Sequence, residues 1–307
     1  MCRYVSTYGL PEPEKYVSLG EGGTPLVQDQ IEGKPVYLKL EYANPTGSYK
    51  DRGSSVLVSH LIQRGVSQAV EDSSGNAGAS FAAYAAKAGI KAKIFAPDSA
   101  SGPKLNQIEM FGAELAKIPG PRSAAAEAVL IEAAKGITYA SHAYMPFGLL
   151  GIATTAYEIW EELGDAPGSI VCPVGHGGAL WGMMIGFQAL HMAGLIREEP
   201  YYLAAEAKNC APLLTGADAA SKGQPTVAEG VRVTNPSRGS SIIEHLSSGH
   251  GKIVAVPEDS ILPAYQSMAS QGWYVEPTSA LAWCAVQMEK KNLPDPVVVI
   301  LTGSGLK

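Results

Sequence analysis

The sequence predicts an α/β protein with mostly parallel sheets, and three observations predict it. Short β-type runs alternate with longer Ala-rich runs of helical spacing. Glycine-rich loops stand where strands hand over to helices. A continuous Val/Ile run from Pro296 to Leu301 has the composition of a strand buried on both faces. With 307 residues there is length for two domains, and roughly 75% of the unfolded surface can be buried at that size.

The elements follow in order. Gln68-Ala69-Val70 reads as a strand leading into a Ser/Gly/Asn loop. Ala77 to Ala88 reads as a helix ended by Gly89, and Lys91 to Ala96 returns as a strand. A helix over Pro103 to Phe111 precedes a strand over Glu114 to Ile118, after which Pro119-Gly120-Pro121 breaks the chain before another Ala-rich helix. The second half repeats the alternation, with strands at Ser169 to Val174 and Tyr201 to Glu206 around a helix at Leu180 to Ala193. Between 208 and 252 the chain is polar and Gly-rich and shows no period.

Composition narrows the function. Charged residues make up 17% of the chain and the net charge is −6, with no basic stripe for nucleic acid and no basic amphipathic helix for a membrane surface. Met1-Cys2-Arg3-Tyr4 begins no apolar leader, and no apolar run is long enough to span a bilayer, so the expectation is a cytoplasmic protein with small-molecule partners. Cys2, Cys172, Cys210 and Cys284 lie far apart with no metal-ligand spacing, and buried free thiols are expected.

Four segments carry chemistry. In Glu41 to Gly53, a turn-rich stretch opens onto an apolar helix from about Ser55 to Gln63 and delivers Lys50 at the helix start; imine formation needs a neutral amine, and a helix N-terminus disfavours an ammonium. In Asp72 to Ser80, a strand-to-helix loop gathers Ser73, Ser74, Gly75, Asn76 and Ala77, whose hydroxyls, amide and backbone N–H groups suit a carboxylate and equally suit a helix cap. In Pro173 to Gly182, Gly175-His176-Gly177-Gly178-Ala179 forms a glycine loop that lacks both the Gly-Lys-Ser/Thr of a nucleotide loop and the third glycine of a dinucleotide fingerprint; a compact monophosphate fits it better, and a tight strand-to-helix turn with no ligand is the alternative that three glycines in four positions disfavour. In Leu301 to Lys307, Thr302 follows the Val/Ile strand and offers a neutral hydroxyl where open α/β sheets bind ligands.

Taken together, Gly20-Glu21-Gly22-Gly23-Thr24-Pro25-Leu26, Asn44 to Gly53, Ser73 to Asn76, Gly175 to Gly178, Glu276-Pro277 and Thr302 to Lys307 resemble threonine synthases nearly end to end. These belong to the tryptophan-synthase-β, or fold type II, class of pyridoxal-phosphate enzymes. The resemblance implies two three-layer αβα domains: a large one from residues 1–53 and 151–307, and a smaller mobile insert at 54–150. It implies pyridoxal 5′-phosphate as cofactor, joined to Lys50 as a Schiff base, with Asn76 beside the pyridoxal 3′-oxygen, Gly175 to Ala179 around the phosphate and Thr302 facing the pyridine nitrogen. Substrate contacts fall on Ser73, Ser74, Gly75, Asn76, Ala77, Lys104 and Thr154. A homodimer is implied too.

The sequence departs from the family between Ser141 and Thr154. Gly148 stands where threonine synthases place an arginine, and Gly151-Ile152-Ala153-Thr154 stands for their Gly-Gln-Lys-Thr run. O-phosphohomoserine would lose charge-assisted partners at roughly 1.5–3 kcal/mol each. The expected reaction is β- or γ-elimination or replacement on a small amino acid. Threonine-synthase-like replacement and serine or threonine dehydration are both open, as is a non-catalytic relative that retained the cofactor.

Overall fold

The computed structural model describes residues 1–221 and 224–307. The first half of the chain forms β1 (Leu26–Ile31), β2 (Lys34–Lys39), α1 (Lys50–Gln63), β3 (Gln68–Glu71), α2 (Asn76–Ala88), β4 (Lys91–Pro97), α3 (Pro103–Met110), β5 (Glu114–Ile118), α4 (Arg122–Ala133) and β6 (Thr138–Tyr139). Then come α5 (Phe147–Leu163), β7 (Ser169–Pro173), α6 (Gly178–Met192), β8 (Tyr201–Ala207), α7 (Pro212–Thr215), α8 (Ala217–Ser221), α9 (Gly239–His245), β9 (Gly251–Val256), α10 (Glu258–Ser270), α11 (Pro277–Glu289) and β10 (Val297–Ile300). Among the described residues the stretch from 208 to 252 thus holds α7, α8 and α9, further helical turns at Glu229–Val231 and Leu246–His250, and the start of β9; Lys222 and Gly223 within it lie outside the described residues.

The chain divides into two compact units: one of Met1–Gly22, Asn44–Gly151 and Lys307, the other of Gly23–Ala43 and Ile152–Leu306. In the first, four parallel strands run in the order β5-β4-β3-β6. Side chains alternate along each strand, so Ala69, Ile94 and Ala96 face a core shared with Leu57, Phe81, Tyr84 and Ile108 of α1 to α3, whereas Val70 and Phe95 face Ala125 and Val129 of α4. That makes three layers. Residues 1–22 join this unit through Tyr16, whose hydroxyl donates to Ser55 Oγ at 2.8 Å, and through Val17 N–H, which donates to Ser59 Oγ at 2.8 Å. The segment carrying Lys50 therefore shares a unit with residues 54–150, from which the resemblance sets it apart.

In the second unit a six-stranded sheet runs β1-β2-β10-β7-β8-β9, parallel except for the antiparallel β1–β2 hairpin at its edge. Val171, Leu203, Ala205, Val254, Val297 and Val299 pack on Leu281, Trp283, Ala285 and Val286 of α11 and on Ile261 and Met268 of α10. Their alternates Ile170, Cys172, Tyr202, Ala204, Val298 and Ile300 are buried on the opposite face, where α6 packs against β7. Burial on both faces is why these strands read as unbroken apolar runs rather than alternations. Cys172, Cys210 and Cys284 are buried free thiols, while Cys2 is exposed, because the short N-terminal helical turn at Cys2–Tyr8 turns it outward.

Candidate active site

The first unit brings Lys50 and the Ser/Asn loop together at the starts of two packed helices. α1 begins at Lys50 itself, five residues earlier than the apolar pattern predicts. The reason is Asp51: fully buried, its carboxylate accepts the Thr46 N–H, the Thr46 hydroxyl and the Ser80 hydroxyl, each at 2.6 Å. Ser80 lies on α2, and its oxygen, 2.8 Å from Ser54 Oγ of α1, is free to accept the Ser54 hydroxyl. One carboxylate thus pins the loop before Lys50 to both helices. Burial raises the Asp51 carboxyl, and the three donors counter it. Lys50 is half-buried, with its ammonium 4.9 Å from the Tyr49 ring centroid.

The N-cap of α2 is Gly75, and no side chain caps the helix; Ser73 Oγ accepts the Gly75 N–H at 3.3 Å, and the first helical bond is Ala79 N–H to Gly75 O at 3.1 Å. The donors of Asn76, Ala77 and Gly78 precede that bond and face off the helix end, as an anion requires. Lys104 is half-buried on α3, the helix whose Ile108 packs into the α1–α2 core.

At the entry to this loop stands an acidic pair of which the sequence motifs include Asp72 but not Glu71. Glu71, fully buried at the end of β3, lies 2.5 Å from His142 Nδ1, and Tyr139 donates to Asp72 Oδ1 at 2.6 Å. Burial pushes the Glu71 carboxyl up to about 7, against the pull of the His142 and Ser73 N–H groups and of the Arg122 and Lys50 charges. Asp72 is raised by burial and then by Glu71. A folded-state value above the unfolded one means the native state binds more protons between about 4.5 and 7, so this stabilising contribution is whole below the lower value and is lost as pH rises through the upper. Glu71→Gln is expected to flatten the fall of melting temperature between pH 5 and 8; an unchanged pH profile in thermal melts would refute this.

The second unit gathers the other predicted residues. β7 and β10 are parallel neighbours, with Val171 opposite Val299, so the Gly175–Ala179 loop and Thr302 both leave the carboxyl edge of one sheet. Gly177 has φ 85°, and a Cβ on it would stand 2.5 Å from Ile242 Cδ1; a Cβ on Gly175 would stand 2.9 Å from the Gly230 oxygen. Bare backbone is required on both sides of His176. α6 starts without a side-chain cap, and its first helical bond is Trp181 N–H to Gly177 O at 2.9 Å. The donors of Gly178, Ala179 and Leu180 are left to a compact anion, and a phosphate fits that donor set. The Thr302 N–H donates to Ser279 Oγ at 3.0 Å, and the two hydroxyl oxygens lie 3.3 Å apart in a buried, uncharged pair. Such a pair suits a neutral ring nitrogen. Thr154 is buried on α5, the helix whose Ala153 backbone α6 approaches at Gly186.

A sequence profile of the pyridoxal-phosphate dependent enzymes matches residues 17–303. The chain belongs to that family. Threonine synthase of Methanocaldococcus jannaschii is 32% identical over 324 residues, covering 99% of this chain and 80% of its own. Threonine synthase of Mycobacterium leprae is 34% identical over 310 residues, covering 95% and 83%. Among solved structures, a threonine deaminase from T.th. superposes with a TM-score of 0.79 at 23% identity, covering 98% of this chain and 97% of its own. Maize serine racemase gives 0.81 at 19% identity, covering 98% and 94%. These likenesses establish the fold type II architecture. The chain is a threonine-synthase-like, pyridoxal-phosphate-dependent lyase, and its cofactor is pyridoxal 5′-phosphate. Among the described residues no helix is long and apolar enough to cross a membrane, and no cluster of His, Cys, Asp and Glu could hold a metal.

Proposed function

We propose that this enzyme eliminates an uncharged group, a hydroxyl, from a small amino acid of the serine or threonine kind, rather than phosphate from O-phosphohomoserine. The observation that carries this reading is the packing of Gly148. A Cβ there would stand 3.2 Å from the Gly53 carbonyl oxygen and 3.3 Å from Gly53 Cα, so an arginine at that position would first have to part the backbones of α1 and α5.

In this reading Lys50 carries the cofactor and takes the Cα proton, and the cofactor, when bound, supplies the electron sink for the carbanion left behind. The α2 N-terminus with Ser73, Ser74, Gly75, Asn76 and Ala77 orients the substrate carboxylate, and Lys104 and Thr154 border the side chain. Asn76 holds the ring's 3′-oxygen, Gly175, His176, Gly177, Gly178 and Ala179 hold the phosphate, and Thr302 meets the ring nitrogen. A neutral hydroxyl there makes a weaker sink than a carboxylate would, which favours elimination over transamination. The protein acts as a cytoplasmic homodimer in this proposal.

The test compares serine, threonine and O-phosphohomoserine with the same holoenzyme, assaying 2-oxo acid, ammonia and phosphate. Oxo acid from a hydroxy amino acid supports the reading. Phosphate release with threonine as product overturns it in favour of γ-replacement, which the identity to threonine synthases supports.

A further inference from the structure

Arg238 immediately precedes α9, whose first residue is Gly239, and is 8% exposed. Its surroundings are the glycine loop of the same unit: a Cβ on Gly177 would lie 3.3 Å from Arg238 Cβ, and a Cβ on Gly178 would lie 4.0 Å from Arg238 Nη1 and 4.0 Å from Ile152 Cδ1. The space beside Gly178 is thus walled by one cation and one methyl group. Nη1 also donates to the Ser237 hydroxyl at 3.3 Å, a neutral acceptor. The uncapped N-terminus of α6 adds three backbone donors at the same place.

We propose that Arg238 is a charged partner of the cofactor's phosphate. Backbone donors and a helix dipole recognise an anion of any charge, whereas a guanidinium fork adds charge-assisted bonds that scale with the two negative charges of a phosphate monoester. Arg238 then sets how strongly this chain prefers phosphorylated over dephosphorylated pyridoxal. The inference stands on the family's cofactor and is independent of the substrate proposed above.

The test strips the holoenzyme of cofactor and titrates it, by visible absorbance, with pyridoxal phosphate and separately with pyridoxal. Arg238→Met is expected to weaken pyridoxal phosphate by about 10- to 100-fold while pyridoxal changes by less than about twofold. Because both ligands meet the same protein, their affinity ratio is insensitive to any general loss of stability. Arg238→Lys, which retains a point charge without the fork, is expected to recover part of the ratio and to move the phosphorus-31 resonance of the bound cofactor; it serves alone if the methionine variant does not fold. An unchanged ratio, whether both affinities fall together or neither moves, overturns the proposal.

Discussion

Lys50→Ala is expected to abolish the long-wavelength absorbance of the lysine-bound cofactor and to lower turnover by about 10³-fold or more, while the protein melts within a few degrees of the parent. The geometry separates the two effects. Lys50 is half-buried at the first position of α1 and holds up no core, whereas the structural burden of that segment falls on its neighbour Asp51, which ties Thr46 to Ser80. With the roles proposed for Lys50, removing the amine takes away both the covalent anchor and the base, and a base alone is worth 10²- to 10⁴-fold. Absorbance from 300 to 500 nm, recorded with turnover on the best substrate, decides it. A band that survives in the variant would mean another amine carries the cofactor.

Much of the frame behind Lys50 was legible. β3, α2, β4, α3 and β5 fall within a few residues of the runs read from periodicity and from Gly89 and Pro103, because each is a short element whose partners are its sequence neighbours. What escaped depended on distant residues. The β1–β2 hairpin turns at Glu32-Gly33, with φ 48° and 80°, and its turn lacks the Asn-Gly or Asp-Gly signature. Lys39 disguises β2 as an exposed strand; it is fully buried because Glu158 and Glu162 meet its ammonium at 3.3 and 2.7 Å from α5. α1 looked shorter than it is because its first turn buries Asp51 and Arg52 rather than apolar side chains.

The site divided the same way. Motif residues announced themselves by contiguity, as Ser73 to Asn76 and Gly175 to Ala179 do. Glu71 and His142 meet only because β6 pairs with β3, and Arg238 reaches the glycine loop only through α9. Glu71 ends a four-residue strand that also opens with a polar residue, Gln68, so nothing local marked it for burial, and nothing local marked Arg238.

Gly78→Ala is expected to raise KM for the amino acid by about 100-fold or more while the lysine-bound cofactor band persists. A Cβ on Gly78 would lie 1.9 Å from the Ser73 carbonyl oxygen, 3.0 Å from the Ser73 carbonyl carbon and 3.2 Å from Ile108 Cδ1. Backbone on one side and core on the other leave the methyl nowhere to go, and overpacking of this kind costs about 1–3 kcal/mol even where the structure gives. The loop gives before the helix does: Gly75 N–H donates to Ser73 Oγ at 3.3 Å and the Ser73 N–H meets the Glu71 carboxyl, while α2 is locked to α1 through Ser80. The strain therefore moves Ser73 and Ser74 away from the helix end that orients a carboxylate. Lys50 is anchored by Asp51 from the far side of α2 and stays in place. A rise in KM of about 100-fold corresponds to roughly 2.7 kcal/mol of lost ground-state binding. If KM is unchanged and only melting temperature falls, the loop is a structural turn and the carboxylate binds elsewhere; if the cofactor band vanishes as well, the two helix starts are one cooperative unit rather than two separable half-sites.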